Sequence, residues 1–165
     1  MKKVIFLDRD GVINDSKDYY YVKNENEFHL NTHIIGSLQE YRDAGYEFII
    51  ITNQGGVAKG LYTFETLENI HQNLKNTLKK EGIEILEIYF CPHHNKISNC
   101  ICRKPNPLMI EKAVSRFDID KESSVFIGDS QTDIQSANGA GIKGILINEN
   151  GKLPKIQEII KIFTN

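Results

Sequence analysis

The sequence has little excess charge of either sign and no long apolar run. Its 165 residues carry 20 Lys and Arg against 22 Asp and Glu, which gives a formal net charge of -2. A general nucleic-acid or membrane binder needs a basic face, so this balance argues against both classes. No apolar run can span a bilayer, and the one near the N-terminus is too short for a signal peptide. We therefore expect one cytoplasmic domain over residues 1–165, with neither a membrane nor a nucleic acid as its partner.

Cysteine is scarce and clustered. The three cysteines are Cys91, Cys100 and Cys102, and an odd, clustered set suits a reducing compartment and a metal site better than a disulfide framework. Together with His93 they supply four ligands for tetrahedral Zn²⁺, which leaves no open position and so indicates a structural site. His94 is an alternative to His93 as the fourth ligand. The sequence thus predicts a zinc-binding loop over residues 91–104.

Short apolar runs alternate with amphipathic stretches along the chain. The pattern predicts strands over residues 3–7, 46–52, 83–90, 124–127 and 143–147. It predicts helices over residues 34–44, from 63 to near 82, 107–117, 132–140 and 153–163. Such an order favours an α/β fold, with a Rossmann-like parallel sheet and helices on both faces. Ligands bind such sheets at the carboxyl ends of the strands, so the segments after the strands are candidate site segments.

Two acidic segments follow predicted strands. Asp8 and Asp10 come directly after the first strand, where one carboxylate can act as a nucleophile and the other as a general acid and base around a shared Mg²⁺. Asp129 follows the fourth strand and can complete the Mg²⁺ site, and Asp133 can orient a neighbouring cation. Read singly, the first segment is also consistent with a solvated strand end, and the second with residues that offset a helix dipole.

Two further segments suit phosphate. Thr52, Asn53 and Gln54 precede two glycines after the second strand, and a hydroxyl with backbone N–H groups can cradle a phosphate there, although the same residues are ordinary in turns. Lys104 can offset the charge of a transferring phosphoryl group, and the forked Arg103 can hold a second anionic or hydroxyl group. Three histidines outside these segments are expected at the surface or in packing: His29, His33 and His71.

Together the segments resemble the haloacid dehalogenase-like (HAD) phosphatase superfamily. The resemblance rests on the order D-x-D-G, Thr, Lys and G-D-x-x-x-D. The stretches IFLDRDGVIN, TNQGG, CPHH and CRKP are similar to its zinc-containing, capless branch, which holds heptose 1,7-bisphosphate 7-phosphatases and histidinol-phosphate phosphatases. The resemblance covers residues 3 to 147. It implies one HAD-like phosphatase domain without a large cap.

The resemblance also assigns roles to residues. It implies Asp8 as the nucleophile and Asp10 as the general acid and base, with Thr52 and Lys104 stabilising the phosphoryl group. It implies a Mg²⁺ site and a structural Zn²⁺ site with these residues: Asp8, the carbonyl of Asp10 and Asp129 for Mg²⁺, and Cys91, His93, Cys100 and Cys102 for Zn²⁺. The substrate-binding residues it implies are Asn53, Gln54, Arg103, Ser130 and, in the loop that contacts the sugar, Asp15, Asp18 and Tyr21.

Two substrate classes remain open at this stage. The Gly11–Asn14 run favours a heptose 1,7-bisphosphate, a small phosphorylated sugar, and this is the substrate we expect first. Separately, we expect the enzyme to be a monomer. Ser130 stands where the heptose enzymes carry a lysine, and the zinc loop is short, and both features favour histidinol phosphate instead. A nucleic-acid end phosphatase is a third reading, against which the near-neutral charge argues.

Overall fold

The computed structural model describes residues 1–164, and within that range five parallel strands form one sheet. The strands are β1 (Val4–Leu7), β2 (Glu47–Asn53), β3 (Ile85–Cys91), β4 (Val125–Gly128) and β5 (Lys143–Leu146), in the order β3-β2-β1-β4-β5. Every neighbouring pair is parallel. The predicted α/β class and its parallel sheet are confirmed, and each predicted strand lies within a few residues of an observed one.

A helix follows each strand along the chain. The helices are α1 (Ile34–Asp43), α2 (Phe64–Lys80), α3 (Leu108–Phe117), α4 (Gln131–Gly139) and α5 (Ile156–Thr164), with short 3₁₀ turns at Glu25–Glu27 and Lys121–Ser123. Side chains cap α2 and α4 at their N-termini. The Thr63 hydroxyl accepts a hydrogen bond from the backbone N–H of Thr66, and the Ser130 hydroxyl accepts one from the backbone N–H of Asp133. Across residues 1–164, no helix combines the length and the apolar character that crossing a membrane requires.

The sheet is buried on both faces. Alternate residues of β1 point to opposite sides, so Ile5 and Leu7 join one cluster with α1, α2 and α5, while Val4 and Phe6 join the other with α3 and α4. Phe6 stacks on Phe126 of β4 with ring centroids 6.4 Å apart. This two-sided burial explains why the strands read as continuous apolar runs.

The strand order brings the candidate segments to one edge of the sheet. From β1 the chain moves outward through β2 and β3, then returns to the other side of β1 for β4 and β5. The loops after β1 and β4 therefore diverge at the carboxyl edge and leave a crevice between them. Asp8 follows β1, Asp129 follows β4 and Asn53 ends β2, so residues far apart in sequence converge at that crevice.

Candidate active site

A pocket of about 360 Å³ opens at this crevice. The sequence-predicted site residues that line it are Asp8, Asp10, Tyr21, Asn53, Gln54, Arg103, Lys104, Asp129, Ser130 and Asp133. Side chains that the sequence analysis did not single out also line it: Ser16, Tyr20, Tyr62, Thr132 and Glu149. The lining residues come from the connections that follow all five strands, so the site depends on the whole fold.

Lys104 is buried at the floor of the pocket. Its Nζ lies 2.8 Å from Oδ1 of Asp8 and 2.7 Å from Oδ1 of Asp133, and it donates a 2.9 Å hydrogen bond to the carbonyl of Ile51. The Lys104 side chain is 2 % exposed. Burial alone would lower the pKa of Lys104, but the charges of Asp8 and Asp133 outweigh it and raise this pKa. Lys104 therefore stays an ammonium beside the predicted nucleophile.

Asn53 aligns the backbone that carries Lys104. Its side-chain amide donates to the carbonyl of Lys104 at 3.2 Å and accepts from the Lys104 N–H at 3.0 Å. The end of β2 and the Lys104 segment are thereby joined by a two-way pairing. Asn53 lines the pocket, yet its polar atoms are already used to hold Lys104.

Three carboxylates and one buried ammonium lie close together in the pocket. Oxygen atoms of Asp8, Asp129 and Asp133 lie within 4.8 Å of one another around Lys104. Burial raises the pKa of Asp8, Lys104 opposes that shift, and the Asp133 charge adds to it. Burial, and then the charges of Asp133 and Glu149, raise the pKa of Asp129 to about 6. When all three carboxyls are ionised, the one ammonium leaves an excess of two negative charges, which a divalent cation would neutralise.

Two glycines make room for these carboxylates. Gly11 has φ +80, and a Cβ there would lie 2.0 Å from Oδ2 of Asp129. At Gly128 a Cβ would lie 2.4 Å from Cβ of Asp133. Any side chain at either position would displace an acidic group from the pocket. At Gly11 the new residue would also be strained, because the backbone there is left-handed and residues with a Cβ rarely adopt that conformation.

Asp10 is held by donors on several sides. Its Oδ1 accepts from Nη2 of Arg9 at 2.8 Å and from Nδ2 of Asn14 at 3.1 Å, and its Oδ2 accepts from Nε2 of Gln54 at 2.8 Å. Tyr62 donates to Oε1 of Gln54 at 2.7 Å, which fixes the amide with its nitrogen toward Asp10. Burial would raise the pKa of Asp10, but the Arg9 charge and these hydrogen bonds lower it below its ordinary value.

Three of the predicted site residues do not line the pocket. Thr52 is fully buried, and its hydroxyl accepts from Nε2 of Gln54 at 2.9 Å below the pocket wall. Asp15 and Asp18 are not part of the pocket lining, and Asp15 instead accepts from the N–H of Lys17 at 2.8 Å. The neighbouring Ser16 and Tyr20 take their place in the lining. The spacing of a polar loop does not reveal which of its residues turn inward, because no periodicity constrains it.

Ser130 is occupied at the start of α4. Its hydroxyl donates to Oδ2 of Asp133 at 2.8 Å and lies 2.9 Å from the hydroxyl of Thr132. Asp133 in turn accepts from the Ser130 N–H, which completes a capping box. Asp133 therefore serves two purposes at once, because its other carboxylate oxygen faces Lys104.

The cysteines and one histidine gather beside the pocket. Sγ of Cys91 lies 3.6 Å from Sγ of Cys100 and 3.2 Å from Sγ of Cys102, and Nδ1 of His93 lies 3.3 Å from Sγ of Cys102. A tetrahedral zinc with Zn–S bonds of about 2.3 Å would separate its sulfurs by roughly 3.7 Å, so the spacing suits that ion. His94 is apart from the cluster, and its Nδ1 accepts from the N–H of Lys96.

The cluster is joined to the pocket through Arg103. This residue follows Cys102 directly, and its Nη1 donates to the carbonyl of His93 at 2.9 Å. Arg103 lines the pocket together with Lys104. The position of both cations therefore depends on the loop that the cluster organises.

Comparisons with known proteins agree with this geometry. A family model described as HAD-hydrolase-like matches residues 101–157. The D-glycero-alpha-D-manno-heptose-1,7-bisphosphate 7-phosphatase of Photorhabdus laumondii is 41% identical over 90% of this chain and 84% of its own length. The histidine biosynthesis bifunctional protein HisB of Campylobacter jejuni is 32% identical over 98% of this chain, which spans 46% of that protein.

A solved structure is similar over nearly the whole fold. It is the D,D-heptose 1,7-bisphosphate phosphatase of B. bronchiseptica, complexed with magnesium and phosphate. It has a TM-score of 0.82 and 33% identity, and the match covers 93% of this chain and 89% of that one.

Proposed function

Because this chain belongs to the HAD-like phosphatase family of the heptose 1,7-bisphosphate 7-phosphatases, we propose that it hydrolyses the 7-phosphate of a D-glycero-D-manno-heptose 1,7-bisphosphate. The observation that carries the proposal is the contact of Asp8 with Lys104 at the carboxyl edge of the parallel sheet, where Asp10 also lines the pocket. That arrangement provides a nucleophile, a cation for the phosphoryl group and a proton carrier.

In the first step Asp8 attacks phosphorus. An oxygen of its carboxylate forms the new bond to phosphorus while the bond to the sugar oxygen breaks, and Asp10 gives that oxygen a proton. Lys104 faces the oxygens that gain charge during the transfer. The products of this step are a sugar with a free hydroxyl at carbon 7 and an aspartyl-phosphate on Asp8.

In the second step Asp10 takes a proton from water. The resulting hydroxide attacks phosphorus, the bond to Asp8 breaks, and inorganic phosphate leaves. The lowered pKa of Asp10 keeps its carboxyl ionised, so it can accept this proton. For the first step Asp10 must carry a proton, and the approach of an anionic phosphate favours that form, because like charge raises the pKa of a carboxyl.

The residues of the pocket fit Mg²⁺. Carboxylate oxygens of Asp8 and Asp129 would hold it, and their clustering with Asp133 supports both ligands. The family resemblance adds the carbonyl of Asp10 as a third ligand. When bound, Mg²⁺ supplies Lewis-acid stabilisation of phosphate oxygens.

We expect the stabilising effect of Mg²⁺ to grow with pH. The raised pKa values of Asp8 and Asp129 mean that the folded chain binds more protons than the unfolded one above about pH 4, so its stability falls as pH rises toward those values. Mg²⁺ competes with the same protons. At about 100 times its Kd near pH 8, Mg²⁺ should raise the Tm of dialysed protein by about 5–10 °C. Near pH 5.5 the rise at the same concentration should be less than half as large. Thermal melts test this, and equal shifts at both pH values would contradict it.

We also propose that Cys91, His93, Cys100 and Cys102 hold a structural Zn²⁺. The four ligand atoms lie within 4.8 Å of one another, which supports the assignment. The ion would stiffen the segment whose next two residues are Arg103 and Lys104.

Cys102→Ser is expected to lose zinc and to lower kcat/KM by about 10–100-fold, because a loosened loop displaces Arg103 and Lys104. Metal content measured on purified protein and phosphatase assays check this. Ser98→Ala, an exposed change in the same loop, is the control and should retain both zinc and activity. A zinc-free Cys102→Ser variant with full activity would show that the cluster has no functional part.

Histidinol phosphate is a second candidate substrate, and one feature favours it. Ser130 carries no charge and its hydroxyl is tied to Asp133, so Arg103 and Lys104 are the cationic side chains in the described lining. The wall near Asp129 carries Glu149 instead, whose carboxylate suits an amine or hydroxyl better than a second phosphate.

The proposal is tested by following heptose 1,7-bisphosphate hydrolysis with Mg²⁺ by phosphorus NMR. We expect the 7-phosphate resonance to disappear while the anomeric phosphate remains. Loss of the anomeric phosphate first, or no turnover, would overturn the assignment.

A further inference from the structure

Arg9, the middle residue of the D-x-D segment, is buried rather than solvated. It is 1% exposed, and arginine is rarely buried to this extent unless it is paired. Its guanidinium makes a forked contact with Asp10, with Nη2 at 2.8 and 3.1 Å from the two oxygens and Nε at 3.2 Å from Oδ1. The fork leaves Nη1 to find a partner on the far side of the guanidinium.

That partner is His71, which lies 62 residues away on α2. Nε2 of His71 is 3.0 Å from Nη1 of Arg9, and the residue is 6% exposed. Burial, and then the Arg9 charge, lower the pKa of His71 to about 3. The ring is therefore neutral near pH 7, and because Arg9 can only donate, Nε2 accepts and Nδ1 carries the proton.

Aromatic rings enclose the pair. The ring of Phe28 lies 5.8 Å from the Arg9 guanidinium, and the ring of Phe90 lies 5.6 Å from the imidazole of His71 at a steep angle. Such surroundings contain little water that could replace a lost hydrogen bond. Without an acceptor at Nε2, a buried N–H of Arg9 would stay unpaired, and the guanidinium would turn to satisfy it.

We propose that Arg9 and His71 are positioning residues that aim the Asp10 carboxyl at the leaving oxygen. His71 fixes the plane of the guanidinium, the guanidinium fixes the carboxyl through its fork, and Gln54 and Asn14 hold the remaining sides. The inference rests on the proposed function, because it requires Asp10 to protonate the leaving group. Neither residue lines the substrate pocket, so each acts through Asp10.

The leaving group provides the test. A sugar alkoxide needs a proton to depart, whereas p-nitrophenolate leaves as a stable anion. The value of kcat/KM reports steps through formation of the aspartyl-phosphate, so it contains the protonation by Asp10 and not the later hydrolysis. A misoriented Asp10 carboxyl therefore lowers kcat/KM for an alkyl phosphate more than for an aryl phosphate. A general loss of structure lowers kcat/KM for the two substrates by the same factor.

The matched variants are His71→Leu, which removes the acceptor, and His71→Gln, whose amide oxygen can replace it. We expect His71→Leu to lower the ratio of kcat/KM for heptose 1,7-bisphosphate to that for p-nitrophenyl phosphate about tenfold, since proper general acid catalysis contributes roughly 10²–10⁴-fold. His71→Gln should keep the ratio within about twofold of the parent. Equal losses on both substrates, or an unchanged ratio in a folded His71→Leu protein, would overturn the proposal.

Two further measurements keep the result decisive. If His71→Leu does not fold, Arg9→Lys is measured instead, because lysine keeps the charge of Arg9 but cannot make its forked contact. The same tenfold fall in the ratio of the two kcat/KM values is expected. An unchanged ratio in Arg9→Lys would contradict the proposal. If the parent protein cleaves p-nitrophenyl phosphate but not the heptose bisphosphate, the substrate assignment fails alone. The ratio is then measured with histidinol phosphate, which is also an alkyl ester.

Discussion

Asp8→Asn is expected to lower kcat by at least about 10⁴-fold, because an amide cannot form the aspartyl-phosphate. The fold should survive the change. Burial raises the pKa of Asp8, which means that its charged form is costly in this pocket near neutral pH, and a neutral amide of the same shape removes that cost. Lys104 keeps Asp133 as its partner. The Tm of the Mg²⁺-free variant should therefore equal or exceed that of the parent.

Activity assays with p-nitrophenyl phosphate, together with thermal melts, check both parts. Acid quenching during turnover should capture a phosphorylated parent protein and no phosphorylated variant. Residual activity above about 1% of the parent would mean that another group attacks phosphorus. A large drop in Tm would mean that Asp8 supports the fold instead.

Lys104→Met is expected to affect both stability and rate. Methionine fills similar volume but leaves the buried carboxylates of Asp8 and Asp133 without a counter-charge, which costs about 3–5 kcal/mol of unfolding free energy near pH 8. Loss of the cation beside the transferred phosphoryl group should lower kcat by roughly 10²–10³-fold. The two variants thus differ in kind, since removing the nucleophile spares the fold and removing its cation does not.

The pH dependence identifies the cause of the lost stability. Burial raises the pKa of Asp8, so Asp8 takes up a proton at low pH and then no longer needs the charge of Lys104. The destabilisation should therefore shrink when urea unfolding is repeated near pH 5. Lys79→Met, at an exposed position on α2, is the control and should change the unfolding free energy by less than about 0.5 kcal/mol. A Lys104→Met penalty that is equal at both pH values would show that packing, not charge, is lost.

The sequence predicts the framework of the site because each motif follows a strand. Asp8, Asn53 and Asp129 could be assigned to one edge of the sheet from the alternation of strands and helices, since parallel strands present their carboxyl ends together. These signals are local, so one sequence is enough to recognise them.

The residues that the sequence missed are defined by contacts between distant segments. Arg9 meets His71 across 62 positions, and Ser16 contacts Glu149 across 133. No periodicity marks an arginine that turns inward. The sequence predicts His71 at the surface or in packing and does not indicate its bond to Arg9. The resemblance assigns Asp15 and Asp18 to the substrate site, whereas in the structure the neighbouring Ser16 lines the pocket. In irregular loops, the inward-facing residue follows from tertiary packing, which one sequence does not encode locally.

The central claim is most directly tested by kcat/KM for heptose 1,7-bisphosphate and histidinol phosphate, measured side by side with Mg²⁺. We predict a preference of at least about 100-fold for the heptose, which corresponds to roughly 2.7 kcal/mol of differential transition-state binding. Arg103 would then hold the part of the substrate away from the reacting phosphate. A preference of the same size for histidinol phosphate would contradict the substrate assignment. Specificity would then be assigned to the uncharged Ser130 and the acidic Glu149.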